Sequence, residues 1–448
     1  MYDARSRTYL ARCLADAFLA GAWTEGALLG RAGRVLERRP RWVRAVAREA
    51  LGAYHRPPAD RPRELARFVA RAIADLPQPA DYAPPPRVRR WLVPEPEMGR
   101  RRWPVPELAS LAALAGFLSI SDGELAWLAD ARGLERNVAD ERLRNYRYAA
   151  HSRPGGPARV IERPKQRLKA IQRRILHEIL DLVPAHDAAH GFTRGRSVAS
   201  HAARHTGRYV VVALDLEDFF ASIAAGRVFG IFRTAGYPES VAYALTALVT
   251  NAVPAAVWER VPRPRAASQV AAHHRLGRRL AAAHLPQGAP TSPALANLAA
   301  FGLDRRLTGL AASLRLTYTR YADDLTFSGS PALVGAANRL RATVAVIARE
   351  EGFVVNARKS MLTTRAGRQR VCGVVVNERL NVPRDEYDVL KAILHNARVH
   401  GPGSQNRAAV ADFRAHLLGR ISWVQSLHPD RGEKLRRRWA AIDWQQAP

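Results

Sequence analysis

Two adjacent carboxylates, Asp323 and Asp324, sit inside the stretch Tyr318-Thr319-Arg320-Tyr321-Ala322-Asp323-Asp324-Leu325-Thr326-Phe327-Ser328-Gly329. Leu314, Leu316 and Tyr318 alternate with polar residues ahead of them, and Leu325 and Phe327 resume the alternation behind. That period predicts two half-buried strands with both carboxylates at the hairpin tip. A third carboxylate, Asp215, ends the apolar run Tyr209-Val210-Val211-Val212-Ala213-Leu214, which predicts a strand buried on both faces. Asp is also an ordinary turn former and cap, so each position has a plain structural reading. Held together at strand ends, the three would suit phosphoryl or nucleotidyl transfer. Two divalent ions about 3.5–4 Å apart would activate an attacking hydroxyl and neutralise a leaving pyrophosphate. Carboxylate oxygens suit Mg²⁺, which completes its octahedral shell with substrate phosphates. In this reading Asp215 and Asp323 bridge the two ions and Asp324 is the third ligand.

Lys359 is the other chemically notable position. Among 70 basic residues, lysine occurs only as Lys165, Lys169, Lys359, Lys391 and Lys434. An ammonium can give up a proton that a guanidinium in practice holds, so a lysine retained in such a chain is a candidate general acid. A leftover surface lysine is the plain alternative.

The elements that must position these groups follow from periodicity and punctuation. Residues 1–76 carry helical spacing (Leu28, Leu29, Val35, Leu36, then Val43, Val46, Leu51) and predict a small helical extension. Residues 77–106 hold nine prolines, a density that defeats helix and sheet interiors and predicts a linker. Ser121 with Glu124 reads as a capping box. Tyr146, Tyr148, the turn Pro154-Gly155-Gly156-Pro157 and Arg159-Val160-Ile161 predict a hairpin. An amphipathic helix follows, with Leu168, Ile171, Ile175, Leu176 and Ile179 on one stripe. Lys165, Arg167, Lys169, Arg173 and Arg174 cover its other side, as a nucleic-acid contact or simply as a solvated face. The span from about Arg260 to His284 shows little pattern and predicts an irregular insertion. Ser292 followed by Pro293 starts a helix marked by Leu295, Leu298, Leu303, Leu307 and Leu310. Leu333, Ala337, Leu340, Val344 and Ile347 predict another, and Phe353-Val354-Val355 predicts a strand delivering Lys359. The economical fold is α+β, an antiparallel sheet with helices packed on it.

At 448 residues the chain predicts two or three domains, and 47% hydrophobic with 25% charged residues describes a globular protein. A net charge of +30 points to a polyanionic partner. Residues 1–100 contain 19 basic and 11 acidic residues, so the excess belongs to the folded body and not to a tail. Cys13 and Cys372 are too far apart in sequence to suggest a bridge, in keeping with a reducing compartment. Asp16 interrupts the apolar run behind Arg5, Arg7 and Arg12, which disfavours a signal peptide. The longest near-apolar run, about Leu108 to Ile120, is too short to cross a bilayer. The expectation is a cytoplasmic protein with no membrane partner.

With these residues in view, the chain resembles reverse transcriptases, and among them the bacterial retron type. The resemblance runs from about residue 105 to 445. It is carried by RVIERPKQRLKAIQR at 159–173, HGFTRGRS at 190–197, LDLEDFF at 214–220, LPQGAPTSP at 285–293, YADD at 321–324, EEGFVVNARKS at 350–360 and RVCGVVVN at 370–377. It implies a right-handed fingers–palm–thumb polymerase with an antiparallel palm sheet and a helical thumb. Residues 107–208 would be the first part of the fingers, 209–376 the palm with part of the fingers, and 377–448 the thumb and a basic RNA-binding region. Asp215, Asp323 and Asp324 match the family's aspartates for two Mg²⁺ ions, and Lys359 its proposed general acid. Arg159 matches the triphosphate-gripping arginine, Gln287 the glutamine of the nucleotide pocket, and Phe220 the side chain that blocks a 2′-hydroxyl, with Asp218 and Phe219 beside it. Lys165, Lys169, Arg173, Arg174, Arg194, Arg196, Lys434, Arg436 and Arg437 would face nucleic acid. The implied partners are a structured noncoding RNA serving as template and primer, its DNA product, dNTPs and an effector protein. The implied activity is reverse transcription of that RNA into branched multicopy single-stranded DNA, in antiphage defence. Two spellings depart from the retron pattern. Val371-Cys372-Gly373 stands where Val-Thr-Gly is usual, and Asn251-Ala252 opens an Asn-Ala-x-x-His element whose fifth residue is Ala255. A group II intron-like or other defence reverse transcriptase, or an inactive RNA-binding scaffold, are the alternatives. The absence of a Cys/His-rich stretch after the thumb disfavours a full intron protein.

Overall fold

The computed structural model describes residues 4–76, 86–153, 156–264 and 266–444. Prolines 77, 79, 84 and 85 of the expected linker, and Pro154-Gly155 of the expected turn, lie outside the described residues. The chain divides into two compact units, Met1–Val183 with Ala224–Ser292, and Pro184–Ile223 with Pro293–Pro448.

In the first unit, helices Ala4–Leu19, Glu25–Val35, Trp42–Ala53 and Pro62–Ala74 close around Leu14, Phe18, Leu65 and Val69 together with Leu28, Leu29, Val35, Leu36, Val43 and Val46 of the expected spacing, while Leu51 is only partly buried against them. Buried Arg31 donates to the carbonyls of Ala17 (2.6 Å), Phe18 (2.9 Å) and Ala22 (2.8 Å), satisfying acceptors that the end of the first helix leaves open. Ser121 caps helix Asp122–Leu128 by accepting from Glu124 N at 3.1 Å. The reciprocal half of the box is not made, because the Glu124 carboxylate takes Arg167 at 2.5 and 3.1 Å. Strands β1 (Tyr146–Arg153) and β2 (Gly156–Pro164) pair antiparallel, Tyr146 opposite Pro164 and His151 opposite Arg159. Helix Gln166–Glu178 follows and buries Leu168, Ile171 and Ile175.

The span expected to be irregular is instead largely the 15-residue helix Ala267–Ala281. It shows little pattern because its buried positions are His273, Leu276 and Leu280, among arginines and alanines. His273 stacks on Trp258 with ring centroids 4.5 Å apart, and Val253 N donates to Leu280 O at 2.8 Å.

In the second unit, β3 (Val210–Asp215), β4 (Thr317–Tyr321), β5 (Asp324–Gly329) and β6 (Met361–Thr364) form an antiparallel sheet in the order β4-β5-β3-β6. Leu314 and Leu316 precede β4, and Leu314 ends a helix, 46% exposed. The expected strand at Phe353-Val354-Val355 makes one isolated bridge, Val355 to Leu216. The strand in the sheet is β6, after Lys359. The helix after Ser292 is two, Ser292–Ala299 and Phe301–Ser313, separated at Ala300. A short ladder of β7 (Arg370–Val371) and β8 (Val374–Val375) leads to helices Arg384–His400, Phe413–Leu427 and Pro429–Ala440. Leu390, Leu394, Leu417, Ile421 and Leu435 form their common core. Among the described residues no single helix is long and apolar enough to cross a membrane.

Candidate active site

The register of the sheet assembles the carboxylates. β3 and β5 pair so that Asp215 lies opposite Asp324, and β4 and β5 pair so that Tyr321 lies opposite Asp324. Ala322 and Asp323 are thereby left as the two-residue turn, with Ala322 in the left-handed region at φ 53°. The turn is tied to β3, since Leu216 N donates to Asp323 O at 3.0 Å. On the other side Asn356 N donates to Asp215 O at 2.7 Å and Glu217 N to Val354 O at 2.8 Å. The three aspartates are therefore carried on backbone fixed by hydrogen bonds from both neighbours, the rigidity a metal-binding constellation needs.

Their electrostatics follow from that closeness. Burial, then the charges of Asp323 and Asp215, push the Asp324 carboxyl up to about 6, although a bond from Cys372 opposes the rise. The Cys372 thiol donates to Asp324 Oδ2 at 3.5 Å, and burial together with the Asp324 charge holds it protonated well above the usual thiol range. Lys359 Nζ donates to Asp215 Oδ2 at 2.8 Å and Asn356 Nδ2 to Oδ1 at 3.3 Å. Burial alone would lower the Lys359 ammonium; its bond to Asp215 and the three aspartate charges outweigh that and raise it. Among the described residues no three His, Cys, Asp or Glu side chains form a ready-made ion cage. Here both oxygens of Asp215 are engaged by Lys359 and Asn356.

Residues that the one-dimensional pattern did not single out hold the hairpin from behind. Arg320 is fully buried and makes a forked pair with Asp304, Nε to Oδ1 at 2.8 Å and Nη2 to Oδ2 at 2.6 Å. Its Nη1 donates to Asn297 Oδ1 and to Ala322 O, both at 3.0 Å, so one guanidinium grips the carbonyl of the Ala322-Asp323 turn. Gly191 presses on the same turn: a Cβ there would stand 2.6 Å from Ala322 N. Beneath the strands, His205 shares short bonds with Ser328 and Thr319 (both 2.7 Å), and His201 with Thr319 (2.7 Å). Burial holds His201 near 3 and His190 near 4, so both are neutral structural members. A helix face and an alternating strand reveal such partners poorly, because each bond joins residues distant in sequence.

Asp218, in the left-handed region at φ 49°, begins the turn after β3, with Ser222 N donating to its carbonyl at 2.8 Å. Phe219 is buried and Phe220 half-buried, with rings 5.6 Å apart. Gln287 and Arg159 belong to the first unit. There Gln287 O accepts from Glu162 N at 2.9 Å, which stitches the glutamine to the strand that bears exposed Arg159. Asn251 lies in the same unit in a buried network, donating to Glu162 Oε2 at 2.8 Å while His284 Nε2 meets Glu162 Oε1 at 2.8 Å. The histidine beside Asn251 thus comes from position 284, not from the fifth place of the Asn-Ala element.

The basic candidates differ in what they already hold. Lys165 Nζ donates to Glu141 O at 2.6 Å and Arg142 O at 3.0 Å. Arg174 takes Glu178 and Ser119 (both 3.0 Å), and Arg196 staples Asp187 and Ala189 carbonyls. Arg436 takes Gln425 and Arg437 takes Glu433. Lys169, Arg173, Arg194 and Lys434 are exposed.

A family model described as Reverse transcriptase (RNA-dependent DNA polymerase) matches residues 152–390. The Retron Mx65 reverse transcriptase of Myxococcus xanthus is 43% identical over 298 residues, 66% of this chain and 65% of that protein. The Retron Mx162 reverse transcriptase of Myxococcus xanthus is 36% identical over 359 residues, 76% of this chain and 68% of that protein. The Retron Ec86 reverse transcriptase of Escherichia coli is 32% identical over 260 residues, 58% of this chain and 71% of that protein. The match thus spans just under two thirds of the Mx65 protein's length.

Proposed function

The chain belongs to the retron-type reverse transcriptases, and we propose that it is an RNA-directed DNA polymerase that copies part of a partner noncoding RNA into branched multicopy single-stranded DNA. The observation that carries the activity is the placing of Asp215 opposite Asp324 with Asp323 on the joining turn. Their mutual repulsion and burial, expressed in the raised Asp324 carboxyl, make this a site that a divalent cation would relieve. The donors are hard oxygens and fit Mg²⁺. Asp215, Asp323 and Asp324 would hold two such ions, which supply charge neutralisation and an activated 3′-hydroxyl.

The chain's own residues do the rest. Arg320 and the β3–β5 ladder keep the carboxylates in register as charge redistributes, so little reorganisation accompanies the reaction. Lys359, held by Asp215, would carry its proton into the site and give it to a leaving pyrophosphate oxygen. Phe220 would close the space beside the sugar 2′-carbon, admitting deoxynucleotides. Gln287 and Arg159 would line the nucleotide and grip its triphosphate. The net charge of +30 suits a long polyanion such as a folded RNA, with Lys169, Arg173, Arg194 and Lys434 offering exposed cations. Action in the cytoplasm, with an effector protein and in antiphage defence, completes the reading.

Converting Asp323 and Asp324 together to Asn removes two charges at nearly constant shape. DNA synthesis on an RNA template with Mg²⁺ should then vanish, and retained synthesis would refute the assignment. Sequencing nucleic acid that co-purifies with the protein tests the retron part separately; the expected result is a small RNA joined to DNA through a branch.

A further inference from the structure

We propose that Phe192 is a positioning residue for sugar selection, bracing Phe220 and so setting how strictly a 2′-hydroxyl is refused. The inference rests on the reading of Phe220 as the residue that meets the sugar. Phe192 is unusual on two counts. Its side chain is half exposed (50%), and its backbone lies in the left-handed region at φ 58°, which a bulky residue seldom adopts. Neither feature helps the chain fold, and strained backbone of this kind is kept where the surrounding structure and a task require it.

The surroundings specify the ring's place. The Phe192 ring centroid lies 6.3 Å from Phe220 at an interplanar angle of 48°, and 6.3 Å from Tyr321 at 40°. Phe220's other aromatic neighbour is Phe219, which is buried against Phe353 at 5.6 Å with the Arg320 guanidinium over its ring at 5.7 Å. Phe220 therefore has one neighbouring ring anchored in the core and another that is half exposed. Remove the outer ring and Phe220 keeps its attachment but loses a wall.

The loop is built to hold that wall still. His190 N donates to Arg320 O at 2.7 Å, and Asn297 Nδ2 to Gly191 O at 2.8 Å. Thr193 Oγ1 donates to Ala189 O at 3.2 Å, and Arg196 Nη1 to the same carbonyl at 2.9 Å. Gly191, one residue before Phe192, lies against the catalytic turn itself. Phe192 is thus fixed to the same strand end that carries Asp323 and Asp324, so the ring and the reacting centre keep a set distance.

The test is single-nucleotide extension of a primer on an RNA template, comparing kcat/KM for a dNTP and the matching rNTP. Phe192→Ala should lower the preference for the deoxy sugar by about two- to tenfold, the range one aromatic pair contributes. Phe192→Tyr should keep it. Phe192→Gly removes the ring while relieving the left-handed backbone, so the same loss in a variant that folds at least as well assigns the effect to the ring. In a Phe220→Ala background, Phe192→Ala should change the preference no further. If Phe220→Ala relaxes the preference while the Phe192 variants leave it intact, or lower both sugars equally, the bracing role is overturned. If Phe220→Ala itself leaves the preference unchanged, the sugar-gate reading falls, and the bracing role with it.

Discussion

The contact between Arg320 and Ala322 O yields a prediction that separates stability from catalysis. Arg320 and Asp304 are both fully buried and joined by two short bonds. Burial by itself would lower the guanidinium's pKa, but the Asp304 carboxylate outweighs that effect and raises it. Removing one member strands the other. Arg320→Met leaves Asp304 with the Tyr318 hydroxyl (2.8 Å), and Asp304→Leu leaves the guanidinium with two neutral oxygens. Each single change should cost about 3–5 kcal/mol. The double variant replaces the pair with apolar volume and should recover most of that, leaving about 1–3 kcal/mol for the Ala322 and Asn297 oxygens that lose their donor. The coupling between the two positions should therefore be about 3 kcal/mol or more. Urea denaturation measures these terms, and primer extension on RNA measures the other half. Since the Ala322 carbonyl then loses its Arg320 donor, the double variant should remain at least tenfold slow if the turn carries the proposed catalytic aspartates, the rate equivalent of about 1.4 kcal/mol of misplaced charge. A double variant that is both stable and fully active would refute the idea that this guanidinium positions the turn. Single variants costing under about 1 kcal/mol would refute the buried-pair reasoning.

Gly191→Ala should lose polymerase activity with a stability cost of about 1–3 kcal/mol, because its Cβ meets the Ala322 backbone at 2.6 Å and backbone cannot rotate away. Gly195→Ala is the control: its φ is +75° but nothing lies within 4 Å, so it should cost about 1 kcal/mol of stability and leave activity intact. The buried His284–Glu162 pair carries a pH signature. Burial opposes the imidazolium, Glu162 outweighs it, and the folded pKa is raised above the unfolded one. The stabilisation is therefore full below the unfolded value of about 6.5 and is lost as pH rises through the folded pKa. His284→Gln should consequently destabilise most at acid pH, and a denaturation gap to the parent protein that widened with rising pH would contradict the sign.

How far the site could be read in one dimension depended on the distance over which each interaction acts. Asp215, Asp323 and Asp324 were legible because a carboxylate at the break of an alternating or continuous apolar run is a local pattern. Their pairing was not, since Asp215 opposite Asp324 is a matter of register across 109 residues. Arg320 illustrates the limit best. By period Arg320 falls on the same face as Leu316 and Tyr318, where a charged residue reads as a break in the apolar pattern, yet it is fully buried and paired with Asp304. Helix Ala267–Ala281 was hidden for the opposite reason: it buries a histidine and two leucines, too little for a clear stripe. The strand expected at Phe353-Val354-Val355 failed because a β-branched run can serve as a single bridge, while β6, from Met361 to Thr364, is only four residues long and ends in two threonines, which read as polar. Cys372 showed in the sequence only as a changed spelling of Val-Thr-Gly; that its thiol reaches Asp324 is a contact no spacing rule encodes.

The charge balance around the turn argues that the scaffold and the catalytic groups are kept electrically separate. Arg320's positive charge is cancelled by Asp304, so the group that orients the turn contributes little net field to the carboxylates it orients. Lys359 is bonded to Asp215, which sets one ammonium against three carboxylates. The strain of that excess falls on Asp324, where burial and the two other aspartates disfavour the charged form and raise the carboxyl to about 6. Had Arg320 been free to pair with Asp323 or Asp324, the site would be more stable without a cation and correspondingly poorer at attracting one. A buried ion pair behind the turn and an unbalanced triad in front of it thus serve one purpose. The first fixes geometry without spending the field that the second holds for its ligand, the price being a metal-free state less stable than it could be.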